Sequence, residues 1–353
     1  MRIGNRTYNV RLGLTIFLAI SIVSAIVILF LDVNKSTWSA LRQIKPEYSL
    51  IVGLLMLTQW LINALRFQIL VNSFEEKISF WTSFQAFMAN IFMSAMTPSQ
   101  TGGGPLQVYI INRAGIPLAN AIAGCLIGAV LTIVCLVFSS AGILLFRHDI
   151  RLSFGHHMGA VITVVFIVFF FLTLLFMLSI FKIRLIKYIF GKIALRFSHY
   201  MKSKRKFSLT KKLIHGLDQY NRCMKIFAKA KKYRILLSGL LTMCCICANC
   251  AIAPVLLKGL SIKQDALQVF LTQFIIFFIV YFSPTPGASG LAEFSNYWIM
   301  ASVNVEQNLL GIYTLIWRFF TSFIGVGVGG LIVLTLLKKR KKYKSGVKQI
   351  SKT

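Results

Sequence analysis

Apolar runs of membrane-spanning length alternate with short polar and basic segments along this chain. A helix needs about 20 consecutive apolar residues to cross a bilayer. The first run is too long for the core of a cleaved signal peptide, so we expect it to remain as a span. The pattern predicts six full spans, at Leu12–Leu31, Ser49–Leu70, Pro117–Phe146, Met158–Phe181, Ile235–Leu257 and Leu309–Leu337.

Two shorter apolar stretches, Trp81–Met96 and Ala266–Phe282, each run into a cluster of proline and glycine. A helix does not continue through such a cluster, because proline lacks an amide donor and glycine favours turns. Non-helical backbone at membrane depth persists only where protein or a wet cavity surrounds it. We therefore predict two re-entrant helical hairpins, each entering and leaving on one side. Full crossing by both hairpins is the alternative, and it leaves the termini on the same side.

The composition agrees with this hydropathy pattern. Hydrophobic residues make up 57% of the 353 residues and charged residues 14%, against roughly 25% in soluble domains. Such a chain cannot cover a water-facing surface, so a soluble enzyme, a secreted disulfide scaffold and a disordered chain are excluded. The sequence predicts an all-α polytopic membrane protein.

Basic residues set the expected orientation. The net charge is +30, and 28 of the 39 lysines and arginines lie before the first span, in Lys182–Arg234, or after the last span. Basic loops stay in the cytoplasm. Six crossings then place both termini and the Lys182–Arg234 loop together in the cytoplasm of a bacterial-type plasma membrane.

The chain also contains an internal repeat. Pro98 and Gly102 correspond to Pro286 and Gly290 at an offset of 188 residues, and each cluster lies in the same order of span, short helix, break, short helix and span. The units run over about 49–146 and 235–337. An odd number of crossings separates them, which predicts the inverted repeat of many transporters, with a binding site at the broken helices.

The loop at 182–234 is predicted to form two basic amphipathic helices that lie at the membrane interface and attract anionic headgroups. Residues 1–337 are predicted to form one integral membrane domain, and 338–353 a basic cytoplasmic tail. Because the cytoplasmic bias already explains the basic charge, no nucleic-acid partner is expected.

Four segments resemble the transmembrane, flippase-like region of lysylphosphatidylglycerol synthases and their stand-alone relatives. These are the stretch from Thr97 to Tyr109, the stretch from Pro286 to Glu293, the pair Trp317-Arg318, and the stretch from Asn63 to Arg66. Ala288 departs from the family pattern, which usually has glycine there. The resemblance extends from about Leu12 to Leu337, and it implies a membrane protein that handles phospholipids.

In full-length members of that family, a soluble domain after the membrane part carries out aminoacyl transfer. Here 16 residues follow the last span and the basic loop has 53, so we expect neither to fold such a domain. The preferred hypothesis is therefore translocation of a phospholipid or of an aminoacylated or lipid-linked headgroup across the plasma membrane. The expected partners are anionic or aminoacylated membrane phospholipids, with a separate lipid-modifying enzyme as a possible further partner. Phosphatidylglycerol lysyltransferase activity, linked to cationic peptide resistance, and secondary transport of a small soluble substrate remain alternatives.

Three ionisable residues are the strongest site candidates. Glu293 opens a short helix inside the second hairpin, and an ionisable group at that depth usually marks a pathway unless it is paired. Arg318 is its expected partner, so a headgroup site and a purely structural ion pair are both open. Arg66 lies near one end of its span, where it either reaches the interface or faces the cavity and binds a lipid phosphate.

The two breaks supply the remaining candidates. Glycines there let backbone N–H groups turn inward, and each following helix offers its positive N-terminus to a phosphate, although close packing alone also explains them. The expected site residues are Pro98, Ser99, Thr101, Gly102, Gly103, Gly104, Gln107, Thr285, Pro286, Gly287, Ser289 and Gly290. No catalytic residue, metal or cofactor is predicted, and the cysteines of the 235–257 span are interpreted as packing residues.

Overall fold

The computed structural model describes residues 2–3, 6–7, 15–23, 26–27, 45–147, 149–150, 163–164, 166–168, 170–171, 173–174, 231–302 and 309–336. Most of the predicted span 158–181 and part of the predicted span 12–31 lie outside these residues, and the described stretch 15–23 of the latter is helical. The amphipathic helices predicted in 182–230 and the tail at 338–353 also lie outside them.

The described residues form helices joined by short turns, together with two antiparallel two-residue strands, β1 (Arg2–Ile3) and β2 (Arg6–Thr7). Helices α1 to α4 cover Pro46–Asn72, Phe80–Ala95, Gly103–Arg113 and Leu118–Phe146. Helices α5 to α7 cover Lys232–Gly259, Ala266–Tyr281 and Leu291–Ser302. Helix α8 (Leu310–Leu336) is regular over Leu310–Arg318 and has a π-helical segment at Phe319–Phe323.

Four helices, α1, α4, α5 and α8, are long and apolar enough to cross a membrane. They correspond to four of the six predicted spans. Helix α5 begins at Lys232, three residues before the predicted start at Ile235, so the end of the predicted basic loop is part of this helix. Leucines on the outer face of α1 are exposed, as expected for a surface in contact with lipid: Leu50, Leu54, Leu57, Leu61 and Leu65.

The short helices α2 and α6 are 16 residues each and begin at side-chain caps. Ser79 accepts a hydrogen bond from the amide of Thr82, and Asp265 accepts from the amides of Leu267 and Gln268. Such caps satisfy N–H groups that have no partner within the helix. Both helices start and end within two residues of their predicted bounds.

Each short helix ends at a break that has the same backbone form. Thr97 and Thr285 precede prolines and are extended, as proline requires of the preceding residue. After each proline comes a pair of left-handed residues, with φ of 50° and 55° at Ser99 and Gln100, and 57° and 58° at Gly287 and Ala288. The two pairs are 188 residues apart, the offset found in the sequence.

The two halves of the chain, α1–α4 and α5–α8, pack through their equivalent first helices, because α1 makes its most extensive contact with α5. One core cluster lies among α5, α6, α7 and α8 around Trp317 and Tyr313, with Val52 of α1 added. A second lies among α1, α2, α3 and α4 around Met93 and Ile111, with Val333 of α8 added. Each half therefore has its own core, and each core includes a side chain from the other half.

Candidate functional site

A cavity of about 510 Å³ lies between the two halves. Its walls come from helices α1 to α6, from α8 and from both breaks, so neither half forms it alone. Hydroxyl and amide side chains are frequent in the wall: Gln59, Asn63, Asn90, Ser94, Ser99, Gln100, Gln107, Thr132, Thr242, Asn249, Thr321 and Ser322. Arg66 and Arg318 also line it, and no aspartate or glutamate does among the described residues.

The first break is held by neutral hydrogen bonds. The hydroxyl of Thr97 accepts the amide of Gly102 at 2.8 Å and donates to the carbonyl oxygen of Met93 at 2.8 Å. The amide of Asn90 donates to the side-chain oxygen of Gln107 at 2.7 Å, and the hydroxyl of Ser94 donates to the side-chain oxygen of Asn90 at 2.9 Å. These bonds link the end of α2 to the start of α3 and fix three side chains of the cavity wall, those of Asn90, Ser94 and Gln107.

The second break is held by an ion pair. The Nε of Arg318 lies 2.9 Å from Oε1 of Glu293, and the side chains are 4% and 1% exposed. The other carboxylate oxygen of Glu293 accepts the amide of Gly290 at 2.8 Å, as an acidic residue does in the first turn of a capped helix. Arg318 also donates to the carbonyl oxygen of Gly287 at 2.5 Å. The pairing expected from the sequence is present, and it ties the break to α7 and α8.

The two breaks touch each other across the interface between the halves. The amide of Ser99 donates to the carbonyl oxygen of Pro284 at 3.1 Å. The side-chain amide of Gln100 donates to the carbonyl oxygen of Val280 at 3.3 Å. Because Ser99, Gln100, Val280 and Gly287 all line the cavity, this contact lies in its wall.

Arg66 faces the cavity, which is one of the two placements that the sequence left open. One terminal nitrogen donates to the hydroxyls of Thr132 at 3.2 Å and Thr242 at 3.1 Å, and the other to the carbonyl oxygen of Gly128 at 3.4 Å. All three partners are neutral. The ion pairs among the described residues are Arg147–Asp149 and Glu293–Arg318, so Arg66 carries a charge that no described carboxylate compensates.

The structure brings six of the sequence candidates to the cavity wall: Arg66, Ser99, Gly104, Gln107, Gly287 and Arg318. The other candidates are absent from that wall: Pro98, Thr101, Gly102, Gly103, Thr285, Pro286, Ser289, Gly290 and Glu293. At Gly103, an added Cβ would overlap side-chain atoms of Ser94 and Asn90, so close packing accounts for this glycine. Ser289 bonds the hydroxyl of Ser21 at 2.9 Å and thereby contacts the N-terminal helical stretch.

Sequence reasoning missed most of the neutral polar wall. Gln59, Asn63 and Arg66 are spaced four and three residues apart, so they share one face of α1, and Thr242 and Asn249 are two turns apart on α5. Polar residues at helical spacing inside apolar spans were the signal available in the sequence. The structure adds that these two polar faces meet at the cavity.

Apolar helices with an exposed leucine face, surrounding a cavity whose wall includes many polar side chains, define a multi-pass helical membrane protein. The chain matches the lysylphosphatidylglycerol synthase TM region over residues 16–329 and belongs to that family. It is also similar to a UPF0104 membrane protein of Archaeoglobus fulgidus, with 28% identity over 327 residues that cover 90% of this chain and 95% of the relative. The predicted family relationship is thus confirmed.

Proposed function

We propose that this protein moves phospholipid headgroups between the two leaflets of a plasma membrane. The observation that carries the proposal is the cavity of about 510 Å³, whose wall combines apolar side chains with many polar ones and is shared by both halves of an otherwise apolar helical protein. A headgroup that crosses the hydrocarbon core needs such polar surroundings, because an unsolvated charge there is costly.

The proposed topology is six spans and two re-entrant hairpins in an inverted repeat, with both termini in the cytoplasm. Four apolar helices of spanning length support it, as do the two 16-residue helices that end at breaks of the same backbone form. Under this arrangement, the hairpins enter from opposite faces and their tips meet beside the cavity.

Within the cavity, Arg66 is the proposed contact for a lipid phosphate, because its guanidinium has only neutral partners among the described residues. The helix N-terminus at Gly104 and the break at Gly287 add backbone groups to the same wall. Arg318 lines the wall, and Glu293 neutralises the charge of Arg318. Glu293 would therefore act by positioning Arg318 rather than by contacting the lipid.

Movement would come from one half rocking against the other, as in other transporters built from inverted repeats. The contact of Ser99 with Pro284 and of Gln100 with Val280 would then open and close in each cycle. These are single hydrogen bonds, each with a net contribution of about 0.5–1.5 kcal/mol, so their rupture does not prevent such a cycle.

The test is reconstitution of the purified chain in phosphatidylcholine vesicles that contain a trace of phosphatidylglycerol labelled on its acyl tail. Dithionite destroys label in the outer leaflet only. Vesicles with the protein should lose nearly all fluorescence, whereas protein-free vesicles should keep about half. If the fraction of fluorescence that survives dithionite were the same with and without the protein, translocation of this lipid would be refuted.

The name of the matched family raises lysyltransferase activity as a second candidate. It is separated from translocation by lipid analysis of cells that lack lysylated lipids and express only this chain. Lysylphosphatidylglycerol should stay absent if the protein is a translocase, and its appearance would favour the enzymatic function.

A further inference from the structure

The charged groups of the cavity wall differ in how they are compensated. Arg318 is paired with Glu293, whereas the partners of Arg66 in the described part of the chain are hydroxyl and carbonyl groups. The described wall contains no carboxylate. The wall therefore presents a net positive charge at Arg66, and a bound anion would compensate it in a region of low dielectric.

A second observation concerns hydrogen-bond donors. Two buried polar atoms in residues of the cavity wall have no hydrogen-bond partner within the described ranges, and both are donors: Nε of Arg66 and Nε1 of Trp317. Trp317 is 1% exposed. Buried donors are normally satisfied, so an unpaired donor indicates a missing acceptor. A phosphate has only acceptor oxygens when ionised, so it is the kind of group that could accept from either donor.

An ammonium group has the opposite requirements. It brings three more donors and a positive charge. The described wall contains the cation of Arg66 and no carboxylate that could pair with an ammonium group. The two positive charges would repel each other in this environment of low dielectric. A headgroup that combines a phosphate with an amine therefore satisfies the wall less well than one that combines a phosphate with a neutral alcohol.

From these observations we propose that the cavity selects a net-anionic phospholipid, namely a phosphate ester of a neutral alcohol, over aminoacylated and other amine-bearing lipids. This inference rests on the proposed lipid translocation and specifies its substrate class. The hydroxyl and amide side chains of the wall, such as Asn63, Asn90 and Thr242, suit the hydroxyls of an alcohol such as glycerol.

The test measures binding separately from transport. Detergent-solubilised protein is titrated with phosphatidylglycerol, phosphatidylethanolamine and lysylphosphatidylglycerol of identical acyl chains, and binding is followed by native mass spectrometry. Phosphatidylglycerol should bind about tenfold more tightly than either amine-bearing lipid. Hydrogen bonds to charged groups are stronger than neutral ones. The ratio of Kd values that defines this preference should therefore fall about tenfold or more in Arg66→Gln.

Arg113→Gln is the matched control, since Arg113 is exposed at the end of α3 and lies outside the cavity wall. It should bind all three lipids as the parent does. If Arg66→Gln does not fold, Trp317→Phe provides the second variant, because it keeps an aromatic ring but removes the N–H donor. It should weaken the binding of phosphatidylglycerol and of phosphatidylethanolamine alike, by about threefold to tenfold, because both carry the phosphate that would accept the lost N–H. Unchanged binding of both lipids would overturn the placement of the phosphate beside Trp317.

Equal binding of amine-bearing lipids, or a preference that survives Arg66→Gln, would overturn the selection. Inorganic phosphate and glycerol 1-phosphate are titrated in a separate experiment. Tight binding of either compound, which has no acyl chain, would show that the ligand is a soluble phosphate and not a lipid. The vesicle assay judges the proposed function alone: selective binding without transport would remove translocation and leave the selection standing.

Discussion

Arg318 and Glu293 hold the second helix break by three contacts at once. Arg318 reaches both the carboxylate of Glu293 and the carbonyl oxygen of Gly287, and Glu293 accepts the amide of Gly290. Among the described residues the first break has no charged counterpart, and the hydroxyl of Thr97 accepts the amide of Gly102 there. The same backbone turn is thus stabilised by an ion pair in one half of the protein and by a neutral hydroxyl in the other.

Glu293→Gln should destabilise the fold strongly. The glutamine can still accept the amide of Gly290, but it leaves Arg318 buried without a counter-charge. Breaking one side of a buried pair costs about 3–5 kcal/mol. The free energy of unfolding in detergent, measured by denaturant titration, should fall by that amount.

Asp149→Asn is the control, because it breaks the exposed ion pair with Arg147 and should change the stability little. The double variant Glu293→Leu/Arg318→Met should be more stable than Glu293→Gln, since it leaves no unpaired buried charge. If Glu293→Gln and Asp149→Asn had equally small effects, the ion pair would not be what holds the break.

Thr97→Val should destabilise the first break. Valine has nearly the shape of threonine but lacks the hydroxyl that accepts the amide of Gly102 and donates to the carbonyl oxygen of Met93. Loss of a capping hydroxyl costs about 0.5–2 kcal/mol. The same unfolding measurement should show this loss, and Thr97→Ser should retain most of the parent stability. A serine variant as unstable as the valine variant would indicate that the methyl group, and not the hydroxyl, stabilises the turn.

Much of the fold was readable from the sequence because its signals are local. Pro98 and Pro286 mark the breaks, and apolar length marks the four long helices. Whether Arg66 faces the cavity or the membrane interface could not be predicted from the sequence, because that depends on the rotation of α1 about its axis relative to α4 and α5. The left-handed φ of 58° at Ala288 was also unexpected, because alanine disfavours that conformation and only the surrounding packing imposes it.

The role of Glu293 illustrates a different limit. From the sequence, its depth in a predicted hairpin indicated either a pathway or an ion pair with Arg318, and its bond to the amide of Gly290 was not anticipated. Only the geometry shows that both carboxylate oxygens are engaged and that the residue is not in the cavity wall. Depth in the membrane alone did not distinguish a structural carboxylate from one that contacts the cavity.

Gly329→Ala should weaken the packing of α8 on α2. A Cβ at Gly329 would overlap the carbonyl oxygen of Met88 and lie 3.0 Å from Cβ of Phe92. Overpacking of a tight contact costs about 1–3 kcal/mol. Gly327→Ala, on the same helix, has nothing within 4 Å of the added Cβ and should raise stability by about 0.5–1 kcal/mol. Thermal unfolding in detergent compares the two, and an equal change in both would show that the helices do not approach closely here.

Gly104→Leu should block transport without unfolding the protein. Gly104 lies in the cavity wall at the start of α3, and nothing lies within 4 Å of a Cβ added there, so the larger side chain enters the cavity rather than the protein core. The space left for a headgroup then shrinks by the volume of the side chain. In the dithionite vesicle assay, we expect the rate of phosphatidylglycerol translocation to fall at least tenfold.

Gly142→Leu is the matched control for this variant. Gly142 lies in α4, has no neighbour within 4 Å of an added Cβ, and is outside the cavity wall. Its rate of translocation and its unfolding temperature should both stay near those of the parent. A Gly104→Leu protein with parental unfolding temperature and parental transport would mean that headgroups do not pass through this cavity, because a blocked route cannot sustain the original rate.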